Sequence, residues 1–116
     1  MQITIKNRET LTGDSVTVLS QPIDVSGMPQ CAINETIHSV GGTVTAFDIN
    51  FQASGNLEDW VDIGPTLNGI AVGVELEELN VRDDKYGRYV RAQIILGGTG
   101  TALVNYSLWL DTYSSS

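Results

Sequence analysis

The chain has 116 residues, a single cysteine and a formal net charge of -8 from fourteen acidic and six basic residues. A chain of this length makes one domain that buries about two-thirds of its extended surface, and the lone Cys31 excludes an intrachain disulfide, so packing and ladder hydrogen bonds must hold the fold. The basic residues are Lys6, Arg8, Arg82, Lys85, Arg88 and Arg91, with none between Glu9 and Val81; no stripe of positive charge exists for nucleic acid or an anionic membrane, and neither is expected as a partner.

The opening Met1-Gln2-Ile3-Thr4-Ile5-Lys6 lacks the charged start and apolar run of a secretory signal, and synthesis and folding in a cytoplasm are expected. No stretch reaches the roughly 18 to 20 apolar residues of a membrane span. Ile3 and Ile5 read as an edge strand, and Val16 with Val18 as a second after the turn Thr12-Gly13-Asp14. Beyond a turn at Ser26-Gly27-Met28-Pro29 comes the strand Ile33 to Ile37, with His38 at its end. After Gly41-Gly42, the residues Phe47, Ile49 and Phe51 alternate with Asp48, Asn50 and Gln52, one face for the core and one for water. Turns follow at Ser54-Gly55-Asn56, Gly64-Pro65 and Leu67-Asn68-Gly69, and one short helical turn fits at Leu57 to Trp60 or at Val81 to Lys85. Ile70, Val72, Val74 and Leu76 form the next alternating strand.

Two strong alternations end the chain: Val90, Ala92, Ile94 and Leu96, then Val104, Tyr106, Leu108 and Leu110. The run Gly97-Gly98-Thr99-Gly100 between them predicts a hairpin from Gly87 to Leu96 and from Thr101 to Leu110. Ser114-Ser115-Ser116 is expected to fray. Residues 1–116 therefore read as a single all-β domain, an antiparallel β-sandwich of seven to eight strands.

The chemistry of catalysis is sparse. His38 is the sole histidine and reads as a satisfied or solvent-facing residue at a strand end; no nucleophile elbow, phosphate loop or pair of histidines at ligand spacing occurs. No enzyme, catalytic residue, cofactor or dedicated metal site is expected. The acids Glu58, Asp59, Asp62, Glu75, Glu77, Glu78, Asp83 and Asp84 read as groups that solvate turns and outward strand faces; structural calcium at Asp59, Asp62, Asp83 or Asp84 is the alternative use for them. Cys31 reads as a small buried hydrophobe. Trp60 is expected to plug one end of the sandwich. If Leu108 and Leu110 point inward, Trp109 points outward, with Leu103 and Ile95 at two-residue steps along the same face. Ile95, Leu103 and Trp109 are thus the candidate protein interface, and contact with another subunit is expected there.

The segment Phe51-Gln52-Ala53-Ser54-Gly55-Asn56-Leu57-Glu58-Asp59-Trp60-Val61-Asp62-Ile63-Gly64 resembles a recurring β-sandwich phrase, and Gly87-Arg88-Tyr89-Val90-Arg91 resembles the Arg-Tyr-Val-Arg strand of discoidin-like domains and their carbohydrate-binding relatives. The resemblance covers residues 47 to 112 and implies a jelly-roll-like sandwich. The pattern is also similar to that of small phage virion proteins, the head-decoration, cement or tail-associated subunits. That resemblance implies a non-enzymatic structural protein located in the virion, partnered by a capsid or tail lattice and by copies of itself. The discoidin-like resemblance implies glycan recognition as the alternative.

Overall fold

Two runs of β-branched and aromatic residues become strands of 25 residues each, several times the usual length of five or six. The computed structural model describes residues 2–25, 30–80 and 88–113, the side chains of 30, 64, 65, 78–80, 112 and 113 excepted. The expected turn at 26–29, the helical turn at 81–85 and the tail at 114–116 lie outside the described residues. Among the described residues every regular element is a strand: β1 (Gln2–Thr12), β2 (Ser15–Leu19), β3 (Ile23–Asp24), β4 (Gln30–Ser54), β5 (Val61–Leu67), β6 (Gly73–Asn80) and β7 (Tyr89–Tyr113).

All pairings are antiparallel. β7 follows β4 along its whole length, from Gln30 opposite Tyr113 to Ser54 opposite Tyr89. β1, β2 and β3 succeed one another along the far side of β7, and β5 and β6 along the far side of β4. Extended strands of 25 residues would span about 80 Å at roughly 3.3 Å per residue, yet the longest dimension of the molecule is 45 Å. Both strands must therefore fold back on themselves.

The fold line is built from glycine. Between the pairs Gly41–Leu103 and Thr43–Thr99, Gly42 of β4 lies opposite residues 100–102 of β7, and just past the pair Val44–Gly98 Thr45 bulges out of the ladder. Gly42 has a φ of +65°, and a Cβ there would run into the backbone of Thr101; a Cβ on Gly98 would meet the Thr43 carbonyl and the Ala102 side chain. Such bulges and close backbone approaches sharpen a bend that a side chain would block. The connection between β1 and β2 lies at the same level, where the Gly13 N–H donates to the Ala102 carbonyl (3.1 Å) and the Gly98 N–H to the Asp14 carbonyl (2.9 Å).

Folding along this line produces two facing layers. One holds β1, the C-terminal half of β7, the N-terminal half of β4, and β6; the other holds β2 with β3, the N-terminal half of β7, the C-terminal half of β4, and β5. With each half-strand numbered in chain order, the layers read 1-8-3-6 and 2-7-4-5. The expected all-β antiparallel sandwich is what is found, but the hairpin expected around Gly97 to Gly100 is not. Each half of β7 stays bonded to β4, because β4 bends at the same place; the glycine run sends the chain from one layer to the other instead of reversing it within a sheet. Gly64-Pro65 is likewise no turn but lies inside β5, an edge strand where the missing proline N–H is tolerated.

The core is the seam between the layers. Phe47, Ile49, Phe51 and Leu67 come from one side and Ile33, Tyr106, Leu108 and Leu110 from the other, all fully buried. Cys31 is fully buried, as expected, and burial pushes its thiol pKa up.

Candidate functional site

The sequence of β6 alternates Val74, Glu75, Leu76, Glu77, and alternation alone would send the apolar pair inward. Its register against β4 decides otherwise. Glu75 lies opposite Glu35, and Glu35 is in phase with Ile33 and Ile37, both in the core. Directly opposed residues share a face, so Glu75 turns inward while Val74 and Leu76 stand outward, 69% and 64% exposed. Val72, 64% exposed, and Ile70 extend the apolar strip into the β5–β6 connection. The expectation that Glu75 solvates an outward face is overturned by this register.

Glu35 is 1% exposed. Burial first, then the neighbouring Glu75 charge and a hydrogen bond with the Glu75 carboxyl, raise its pKa to about 7. Among the described residues its Oε2 has no hydrogen-bond partner, and neither has the buried Tyr106 hydroxyl. Burial, followed by the charges of Glu9 and Glu35, drives the Tyr106 phenol pKa upward. Beside the carboxyl pair opens a cavity of about 370 Å³, lined by Glu35, Ile37, Ile70, Val72, Val74 and Glu75 among others. Apolar walls around a carboxyl pair suit a group with an apolar stem and a cationic end. The signal for this site was present in the sequence: the two-residue period through Ile33, Glu35 and Ile37 points Glu35 inward.

The three residues expected to form an interface are placed apart. Trp109 lies on the outer face of the first layer, between Thr4 and Asn34, and Asn34 in turn opposes Leu76. Leu103 sits at the fold line between Thr12 and Gly41. Ile95 lies between Thr17 and Asp48 on the outer face of the second layer. All three are half-buried, and the bend in β7 separates Ile95 from Trp109; Trp109 shares its face with Val74 and Leu76 instead.

Trp60 does not plug the sandwich. Residues 55–59 form a bend instead of a helical turn; Ser54 Oγ accepts the Leu57 N–H (2.9 Å) and Asn56 Oδ1 accepts those of Glu58 and Asp59 (both 2.9 Å). That bend delivers Trp60 to the outer face of the second layer, where the Arg91 guanidinium lies 4.1 Å from its ring centroid. Arg91 Nε donates to Gln52 Oε1 (2.8 Å), and Gln52 Nε2 to Asp62 Oδ1 (3.0 Å). Asp59 accepts from Asn56 Nδ2 (2.9 Å). Asp59 and Asp62, proposed as calcium ligands, are thus held by side-chain amides, and among the described residues no three His, Cys, Asp or Glu side chains gather as a metal site. Asp83 and Asp84 lie outside the described residues.

His38 is a bulged residue, unpaired between Ile37 and Ser39, and its Nε2 lies 2.8 Å from Ser107 Oγ. The Ser107 oxygen also accepts the N–H of Arg8 (2.9 Å), which sits in a bulge of β1 with a φ of 49°. The three residues clasp the edge strand β1 to β7 and β4. Ser107 is 6% exposed, and both contacts fall on its one side-chain oxygen. Compared with family models, with curated proteins and with solved structures, the chain finds no match.

Proposed function

We propose that this chain is a non-enzymatic structural protein of a phage virion, a capsid-decoration, cement or tail-associated subunit that works through protein–protein contacts. The observation that carries the reading is the outward apolar strip of Val74 and Leu76 on β6, continued by Val72 just before it; the eight residues of β6 pair with β4 without a register shift, and among the described residues the strand ends its layer. Regular, unbulged edge strands with apolar faces are templates for association, and soluble proteins leave them uncovered at a cost in aggregation. The strand orders 1-8-3-6 and 2-7-4-5 support a jelly-roll winding. Co-sedimentation with capsids and tails of the phage whose genome encodes the chain tests the reading. Binding that is lost in a folded Val74→Asp/Leu76→Asp variant is expected, and no binding to either structure would overturn the virion assignment.

The polar outer face of the second layer favours a second reading, recognition of a glycan. There Trp60 stands beside Arg91, Gln52 and Asp62, and Thr66 Oγ1 donates to Asn50 Oδ1 (2.9 Å); an aromatic ring flanked by amide and carboxylate groups suits a sugar. A glycan array without a hit, or a Trp60→Ala variant that binds sugar as well as the parent, would remove it.

A further inference from the structure

The two edges of the first layer carry opposite charge. β6 presents Glu75 and Glu77, and β1, at the other end of the order, presents Lys6 and Arg8 against the single acid Glu9, a net positive charge. Among the described residues, the other cationic side chains are engaged: Arg88 pairs with Asp24 at 3.0 Å and Arg91 stacks on Trp60. Among the described residues Lys6 and Arg8 have no such partner. Lys6 opposes the fully buried Leu108, so it points toward the seam between the layers, and it lines a cleft of about 300 Å³ with Ser20, Gln21, Pro22 and Ile23. Glu75 points toward the same seam from the opposite edge. Three strand spacings, roughly 14 Å, separate these edges within one molecule, further than a lysine side chain reaches.

We propose that copies of this chain associate edge to edge through the first layer, Lys6 of one copy entering the Glu35–Glu75 cavity of the next. The methylene stem lies against Ile37, Ile70 and Val72, and the ammonium donates to the carboxyl pair, including the Glu35 Oε2 that has no partner among the described residues of its own copy. The contact also covers Val72 and Val74. Register shifts on either side of Lys6 in β1 make this a contact of side chains and not a continuous ladder. Pairing β6 with β6 of a second copy is disfavoured, because it would gather the two carboxyl pairs in one place without a cation. A contact between unlike edges is heterologous and builds a ring or a chain.

The inference rests on the reading of β6 as an interaction edge, and its test is independent of any virion partner. Light scattering on size-exclusion fractions, from micromolar to sub-millimolar protein, should show the parent as an oligomer. Lys6→Glu and Glu75→Lys, each verified as folded by circular dichroism, should associate at least about tenfold more weakly. Mixed in equal amounts, the two variants should associate again, because every alternating contact then joins unlike charges. A monomeric parent, single variants that associate undiminished, or a mixture that stays monomeric would each overturn the proposal. A monomer that still binds capsids would leave the virion reading standing, and an oligomer indifferent to capsids and tails would leave this contact standing.

Discussion

The ring of Phe47 meets the ring of Tyr106 edge-on, with centroids 5.0 Å apart and planes inclined by 64°. Phe47 belongs to one layer and Tyr106 to the other, so the contact closes the sandwich that the bends in β4 and β7 make possible. Phe47→Ala should cost about 3–5 kcal/mol, as truncation of a fully buried aromatic does, measured by denaturant unfolding. Tyr106→Phe keeps the ring and removes a buried hydroxyl that has no partner among the described residues. Stability should hold or rise by about 1 kcal/mol.

Glu35 makes stability depend on pH. Its pKa is raised from 4.5 to about 7 in the fold, so between these values the folded state holds a proton that the unfolded chain has released. Stability should therefore be highest below about pH 4.5 as far as this group decides it, fall as pH rises to about 7, and level off above, by at most about 3 kcal/mol at 1.36 kcal/mol per unit. The groups facing it are Glu75 on β6 and Tyr106 on β7, with Glu9 of β1 acting on Tyr106. Glu35→Gln should flatten this slope and stabilise the monomer at pH 8. Thermal unfolding of the two proteins from pH 4 to 8 checks it, and parallel curves would contradict the assignment.

Glycine substitutions should separate close approach from backbone strain. Gly42→Ala and Gly98→Ala each place a methyl group on backbone atoms across the fold line and should cost about 2–4 kcal/mol. Gly100 has a φ of +70° but open space where a Cβ would stand. Gly100→Ala should cost only about 1 kcal/mol. Equal losses for Gly98 and Gly100 in urea unfolding would show that crowding does not shape the bend.

Arg91 covers the Trp60 ring. In a Trp109→Phe background, Arg91→Ala should shift the emission of Trp60 to longer wavelength as water replaces the guanidinium, with a loss of about 0.5–1 kcal/mol.

Ser107 serves two strands at once through the Arg8 N–H and His38. Ser107→Ala should lower stability by about 1–2 kcal/mol and raise amide exchange at Arg8 before the rest of the ladder. Protection unchanged at Arg8 would count against the clasp.

The class of fold was legible in the chain, and so were most inward positions. A strand's period of two is a local property, and Phe47-Ile49-Phe51 and Val104-Tyr106-Leu108-Leu110 carry it without reference to any partner. The same period held Glu35, which lies in phase with Ile33 and Ile37. What it could not carry was the meaning of a glycine. Gly97 to Gly100 and Gly64 offer the same local chemistry whether the chain reverses, bends or runs straight on, and the choice was made by β4 bending alongside β7 and by β5 pairing with β4.

Nor could the period say which face of β6 is inward, because Val74 and Leu76 compete with Glu75 for the seam and register against β4 settles the matter. One residue of slip would exchange the faces. The unbroken pairing from Gln30–Asn80 to Ile37–Gly73 fixes that slip at zero and turns the glutamate in. The sequence by itself determined an all-β chain with alternating faces, because alternation is written in each strand alone; only the tertiary structure decided that Ile95 and Trp109 part company and that Glu35 meets Glu75, because both depend on what lies across a ladder and beyond a bend.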